Sequence, residues 1–203
     1  MKEAPNLELI QKLLTNLTIR SVQRKENNRC ALFEKIGTEV QKYSHDFSSY
    51  KTIKGNTQQA ERTYIEVIHN IIQNMGLTFE KAGSQGSKDI QNVGGIGLNI
   101  EVKKCDQGMN IFFNDTCPTR DIFYIVICTG KNYKKRTDIP GQIIFMRGDE
   151  FTKNSPWIQD YLQEIENIKN KYARGENAKK LEGCMSVYPR PTFRASILPF
   201  LNS

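Results

Sequence analysis

The sequence predicts an α/β fold: a mixed central sheet of about four to five strands through residues 77–146, covered by helices from 6–75 and 151–174. Three observations predict it. Ile122–Cys128 is an unbroken apolar run rich in β-branched and aromatic residues, as in a strand buried on both faces. Ala60, Tyr64, Val67, Ile68, Ile71, Ile72 and Met75 recur at helical spacing. Leu98, Ile100 and Val102 alternate with Asn99, Glu101 and Lys103, the period of a half-buried strand.

Taken in order, Leu7, Ile10, Leu13, Leu14 and Leu17 predict an amphipathic helix over 6–25, with Arg20, Arg24 and Lys25 in or after its last turn. Cys30, Leu32, Phe33, Ile36 and Val40 predict a second helix over 30–48, followed by a polar loop over 48–56. A third helix over 58–75 stops at Gly76. Leu77–Glu80 predicts a short strand leading into the small, polar, glycine-bearing loop 83–89. Such a loop lets a phosphate backbone approach, with Ser84, Gln85 and Ser87 as donors, although a generic turn has the same composition.

Beyond residue 104, Met109–Phe113 reads as a strand that ends in a turn at Asn114–Pro118. The run 131–136 is the densest basic cluster, and its Lys134, Lys135 and Arg136 suit either phosphate contact or a solvated hairpin. Residues 141–148 predict another strand. Ser155 and Pro156 suit the cap and first turn of a helix whose apolar face holds Ile158, Tyr161, Leu162, Ile165, Ile168 and Tyr172. That helix packs on the sheet or pairs with a second copy of itself. The tail over 185–194 reads as irregular, and its Arg190 and Arg194 are candidates for DNA contact or for an interface.

At 203 residues the chain is long enough for one domain with a full core. Within it we expect a helical part over 1–56, a catalytic core over 57–150, and a C-terminal helix and tail over 151–203. Net charge is +7 and the sequence pI is about 9.1, which favours a polyanionic partner, nucleic acid first. The five cysteines show no CxxC spacing, and two histidines are too few for a typical zinc cluster. We therefore expect reduced thiols in a cytoplasmic protein, with no membrane span or signal peptide.

The chemistry concentrates between residues 88 and 104. On a strand, Glu101 and Lys103 project from one face, away from the core. The glycines at 94, 95 and 97 form a turn, and a chain that doubles back there brings Asp89 beside Glu101. Two carboxylates can hold Mg²⁺, with Mn²⁺ as a substitute, and an adjacent ammonium can offset charge that builds on phosphate.

Asp89, then eleven residues, then Glu101-Val102-Lys103 resembles the PD-(D/E)XK motif of restriction-endonuclease-like nucleases. Apolar neighbours of Glu101 and a second basic residue, Lys104, strengthen the match; Lys88 stands where the motif's name has proline. The resemblance covers roughly residues 60–130 and implies a restriction-endonuclease-like fold. It implies metal binding by Asp89, Glu101 and the Val102 carbonyl, with Lys103 catalytic, and a further acid on the preceding helix, Glu66 first and Glu61 second. Asn114 and Asp115 resemble a polar segment near the active site of certain type II enzymes.

The expected activity is therefore that of a type II restriction endonuclease. Such an enzyme hydrolyses double-stranded DNA at a short sequence, leaves 5′-phosphates, acts as a homodimer and is matched by a cognate DNA methyltransferase. The alternatives are a structure-specific resolvase or repair nuclease with the same centre, and a non-enzymatic basic nucleic-acid-binding protein.

Overall fold

The computed structural model describes residues 7–49, 57–81, 88–105, 110–113, 118–128, 142–151, 156–173, 176 and 192–194. In chain order the elements are α1 (Leu7–Gln41), α2 (Ser44–Ser49), α3 (Thr57–Asn74), β1 (Glu80–Lys81), β2 (Ile90–Val93) and β3 (Leu98–Cys105). There follow β4 (Asn110–Phe112), β5 (Phe123–Cys128), β6 (Gln142–Arg147), a 3-10 turn (Gly148–Phe151), α4 (Pro156–Ile168), a π-helical turn (Lys169–Ala173) and β7 (Thr192–Arg194).

Five strands form one mixed sheet in the order β1-β2-β3-β5-β6, in which only the β3–β5 pair is parallel. The expected α/β class and central sheet are present. β5 is buried along its whole length, as its composition predicts. The sheet's two faces carry different cores. Ile100, Val102, Phe123 and Ile125 meet Phe33, Ile36, Tyr64, Ile68 and Ile72 of α1 and α3. The opposite face carries a smaller cluster of Cys105, Ile111, Phe113, Tyr124, Val126, Met146 and Phe151, against which Ile158 of α4 packs.

Several expectations need correction. The two N-terminal helices are one 35-residue helix. No Gly or Pro separates residues 25 and 30, and Asn27 and Asn28 cost only tenths of a kcal/mol each, about 0.7 at most. Glu26 also ties the junction down, pairing with Arg29 and, at 2.6 Å, with Arg147. The strand expected at 77–80 is only Glu80–Lys81, because Leu77 and Phe79 pack into the core as an irregular segment.

The tail is not wholly irregular: Thr192–Arg194 pairs with β4 in a separate two-stranded sheet. Ile165 of α4 is buried, but Tyr161, Ile168 and, in the turn after it, Tyr172 are exposed, so half the expected apolar face is not buried among the described residues. Cys105 and Cys128, scattered in sequence, are register partners whose sulfurs lie 3.1 Å apart. No helix among the described residues is long and apolar enough to cross a membrane.

Candidate active site

β2, the turn after it and β3 build the site. Gly94, Gly95 and Gly97 all have positive φ, between 66° and 73°, which glycine adopts without strain. Gly94 has a second constraint, since a Cβ there would come within 2.9 Å of Leu32 on α1.

Asn92 does more. Its own φ is 50°, its side-chain oxygen accepts from the Gly97 N–H at 3.0 Å, and its amide donates to Glu80 at 3.0 Å. Its backbone N–H donates to Asn99 at 3.1 Å. These bonds hold an irregularity in β2, because the register runs Val93↔Leu98 and then Ile90↔Ile100. A strand slipped by one residue presents every side chain to the other face. Continued without the shift, the first register would set Ile90 across from Glu101. With the shift, Ile90 joins the helix-side core, and Asp89 stands opposite Glu101.

Asp89 then closes the ladder. Its Oδ2 accepts the Val102 N–H at 2.7 Å, where a further backbone partner would otherwise sit. A strand residue directs its N–H and C=O to the same side, so the Val102 carbonyl opens on the same edge. Lys103 Nζ donates to Glu101 Oε1 at 2.5 Å, and each of these side chains is 13% exposed. The ammonium also lies 5.6 Å from the centre of the Phe113 ring.

Burial pushes the Asp89 carboxyl above the usual aspartate range; the Val102 N–H and the Lys103 charge pull it down but do not prevail. Two carboxylates thus share one ammonium in a poorly hydrated volume. That donor set, two hard carboxylates and a carbonyl, fits Mg²⁺ or Mn²⁺ through Asp89, Glu101 and Val102. Among the described residues no group of three or more His, Cys, Asp or Glu side chains is placed to hold a metal. The two carboxylates fall short of such a group, so water would have to complete the coordination of any ion held there.

The expected same-face projection of Glu101 and Lys103 holds, but that face is not simply solvent-facing: it is the margin of the smaller core. Lys104 does not join them. Strand alternation turns it to the helix-covered face, away from Lys103. Glu66 does not join them either. α3 packs on the far face of the sheet through Tyr64 and Ile68, and Glu66 is exposed, near His69.

Ser84, Gln85, Ser87, Asn114, Asp115, Lys134, Lys135, Arg136 and Arg190 lie outside the described residues. Arg194 lies in β7, with only its backbone described. The site residues that sequence reasoning passes over are Asn92, Phe113 and Tyr124. Tyr124 is the β5 neighbour of Glu101, and its hydroxyl accepts the Thr119 N–H at 2.9 Å. An asparagine two residues before a Gly-Gly pair was the available signal for the first; the other two depend on register, which no local pattern supplies.

A separate cleft of about 540 Å³ lies between α1 and β6, floored by Phe33, Phe123 and Phe145 and edged by Arg147 and Glu150. None of Asp89, Glu101 and Lys103 lines it. Against protein-family models, curated proteins and solved structures, nothing matches this chain.

Proposed function

We propose that the chain is a Mg²⁺-dependent nuclease of double-stranded DNA, acting in the manner of a type II restriction endonuclease. The reading is carried by one observation: Asp89 caps the Val102 N–H directly across from the Glu101–Lys103 pair. Net charge of +7 supports a polyanionic substrate.

In this reading Asp89 and Glu101, with the Val102 carbonyl, would hold the metal. The bound ion would neutralise the phosphate, lower the pKa of an attacking water and steady the leaving oxygen. Lys103 exchanges its contact with Glu101 for one with the water or a phosphate oxygen, offsetting charge as the new P–O bond forms. Phe113, whose ring centre lies 5.6 Å from the ammonium, keeps bulk water from that side of it. Attack in line leaves a 5′-phosphate and a 3′-hydroxyl. One centre cuts one strand, so a two-fold dimer on a palindromic site would cut both, and a cognate methyltransferase would protect host DNA.

The test is incubation with a sequenced plasmid and Mg²⁺ or Mn²⁺. Discrete, sequence-defined fragments are the expected result. Cutting confined to branched DNA would move the reading to a resolvase of the same chemistry. Binding with no cleavage in either metal would overturn the enzymatic reading in favour of a basic nucleic-acid-binding protein.

A further inference from the structure

Two cysteines far apart in the sequence end neighbouring strands. Cys105 is the last residue of β3 and Cys128 the last of β5. Those strands run parallel, and the two residues are register partners. Both side chains belong to the face that carries Tyr124, Val126 and Met146, and each residue is 4% exposed. Their sulfurs lie 3.1 Å apart. Among the described residues no third thiol joins them, since Cys30 of α1 packs against the opposite face.

Thiols also pack in cores as small apolar groups. Three features set this pair apart from packing alone. Neighbouring strands lie about 4.7–4.9 Å apart, so paired α-carbons fall within the range of about 4.4–6.8 Å that a disulfide spans. The two side chains already converge, and the sulfurs need to approach by only about 1 Å to reach a bond of about 2.05 Å. Each thiol stands at the last position of its strand, where opening the ladder costs least and a small oxidant gains entry.

We propose that Cys105 and Cys128 form a reversible oxidation site whose co-reactant is a small two-electron oxidant of the peroxide class. One sulfur, as thiolate, attacks a peroxide oxygen; the O–O bond breaks, a sulfenic acid forms, and the departing hydroxide takes up the thiol proton as water. The second sulfur then attacks the first. The S–S bond forms, the S–O bond breaks, and the oxygen leaves with the second thiol's proton as water. Two thiols and one hydrogen peroxide thus give one disulfide and two waters, with two electrons passing from sulfur to oxygen. A dithiol reverses the change by thiol–disulfide exchange. Cys105 shares a face with Glu101 and Lys103, so oxidation would fasten β3 to β5 two residues beyond the charged pair. The inference does not rest on the nuclease reading, because it uses thiol chemistry alone.

The test uses the folded full chain. It is treated with hydrogen peroxide, denatured, alkylated and mapped by mass spectrometry. The expected product has lost two of its five thiols to one link, Cys105 to Cys128, and dithiothreitol restores all five. In Cys128→Ala the same treatment forms no link to Cys105. In urea the yield of the Cys105–Cys128 link falls and links scatter among the five thiols, because the fold no longer selects the pair. Five alkylatable thiols after an exposure that fully oxidises glutathione overturn the proposal, since burial then shuts the oxidant out. A link from Cys105 or Cys128 to another cysteine or to a second chain overturns it as well, as does a Cys105–Cys128 yield that urea leaves unchanged.

Discussion

The two faces of the sheet are built by opposite rules. The helix-covered face is closed by apolar residues of three helices; Ile36, Tyr64, Ile68, Ile72, Ile100 and Ile125 have no measurable exposure. The other face carries a smaller apolar cluster among the described residues, and at its margin it holds two carboxylates and an ammonium that are mostly removed from water. β3 belongs to both, giving Ile100 and Val102 to one side and Glu101 and Lys103 to the other. A strand needs only its period of two to serve stability on one side and chemistry on the other. The contrast is that the helix side is closed by apolar packing, whereas on the other side burial disfavours the charged form of Asp89.

That contrast can be broken from either side. The largest expected effect is on the charged face. Lys103→Ala and Asp89→Ala should each lower plasmid cleavage by about a thousandfold or more while DNA binding, read by gel shift, stays within a few fold. If both variants cut like the parent, the site is misassigned. The helix face should behave in the reverse way. Ile68→Ala should cost about 2–5 kcal/mol in urea unfolding, with the cleavage rate per folded molecule nearly unchanged.

The hairpin that joins the faces comes next. Asn92→Val removes the bonds to Gly97 and Glu80 and forces a β-branched residue to a φ of 50°. A loss of about 2–3 kcal/mol is expected, accompanied by weaker metal binding as the register of Asp89 slips. Asn92→Gly, which tolerates the backbone, should lose less than half of that.

The smallest effect has the opposite sign. The Asp89 carboxyl titrates higher in the fold than in the unfolded chain, so its stabilising contribution is complete only below the ordinary aspartate range. It is lost as pH rises through the raised value. At neutral pH the ionised group therefore opposes folding. Asp89→Asn keeps an acceptor for the Val102 N–H and should raise the melting temperature at pH 7, by about 2–4 °C for each kcal/mol relieved. The gain should vanish under acid conditions where both forms are neutral. Metal stabilisation, by contrast, should weaken in the parent as pH falls and be absent in the variant.

How much of this was legible in the sequence follows from which forces are local. The stripe of α3, the burial of β5 and the alternation of β3 are each written in a single element, and all three stand as expected. Asp89 beside Glu101 was legible because a Gly-rich turn dictates reversal. Its exact alignment was not, since it depends on the shift at Asn92, where one residue of slip would have faced Ile90 to the site. Glu66 misled because a helix's outward face looks alike from sequence whichever side of a sheet it covers. The stripe on α4 was visible as apolar, yet nothing local tells which of its residues meet the sheet and which meet water.

The Val102 amide proton is held by a carboxylate rather than by a backbone carbonyl. In a nitrogen–proton correlation spectrum its resonance should lie far downfield and follow the protonation of Asp89. It should also move when an ion draws that oxygen away. A single peak in the middle of the sheet would then serve as a gauge of acid titration and of cation occupancy, readable without substrate.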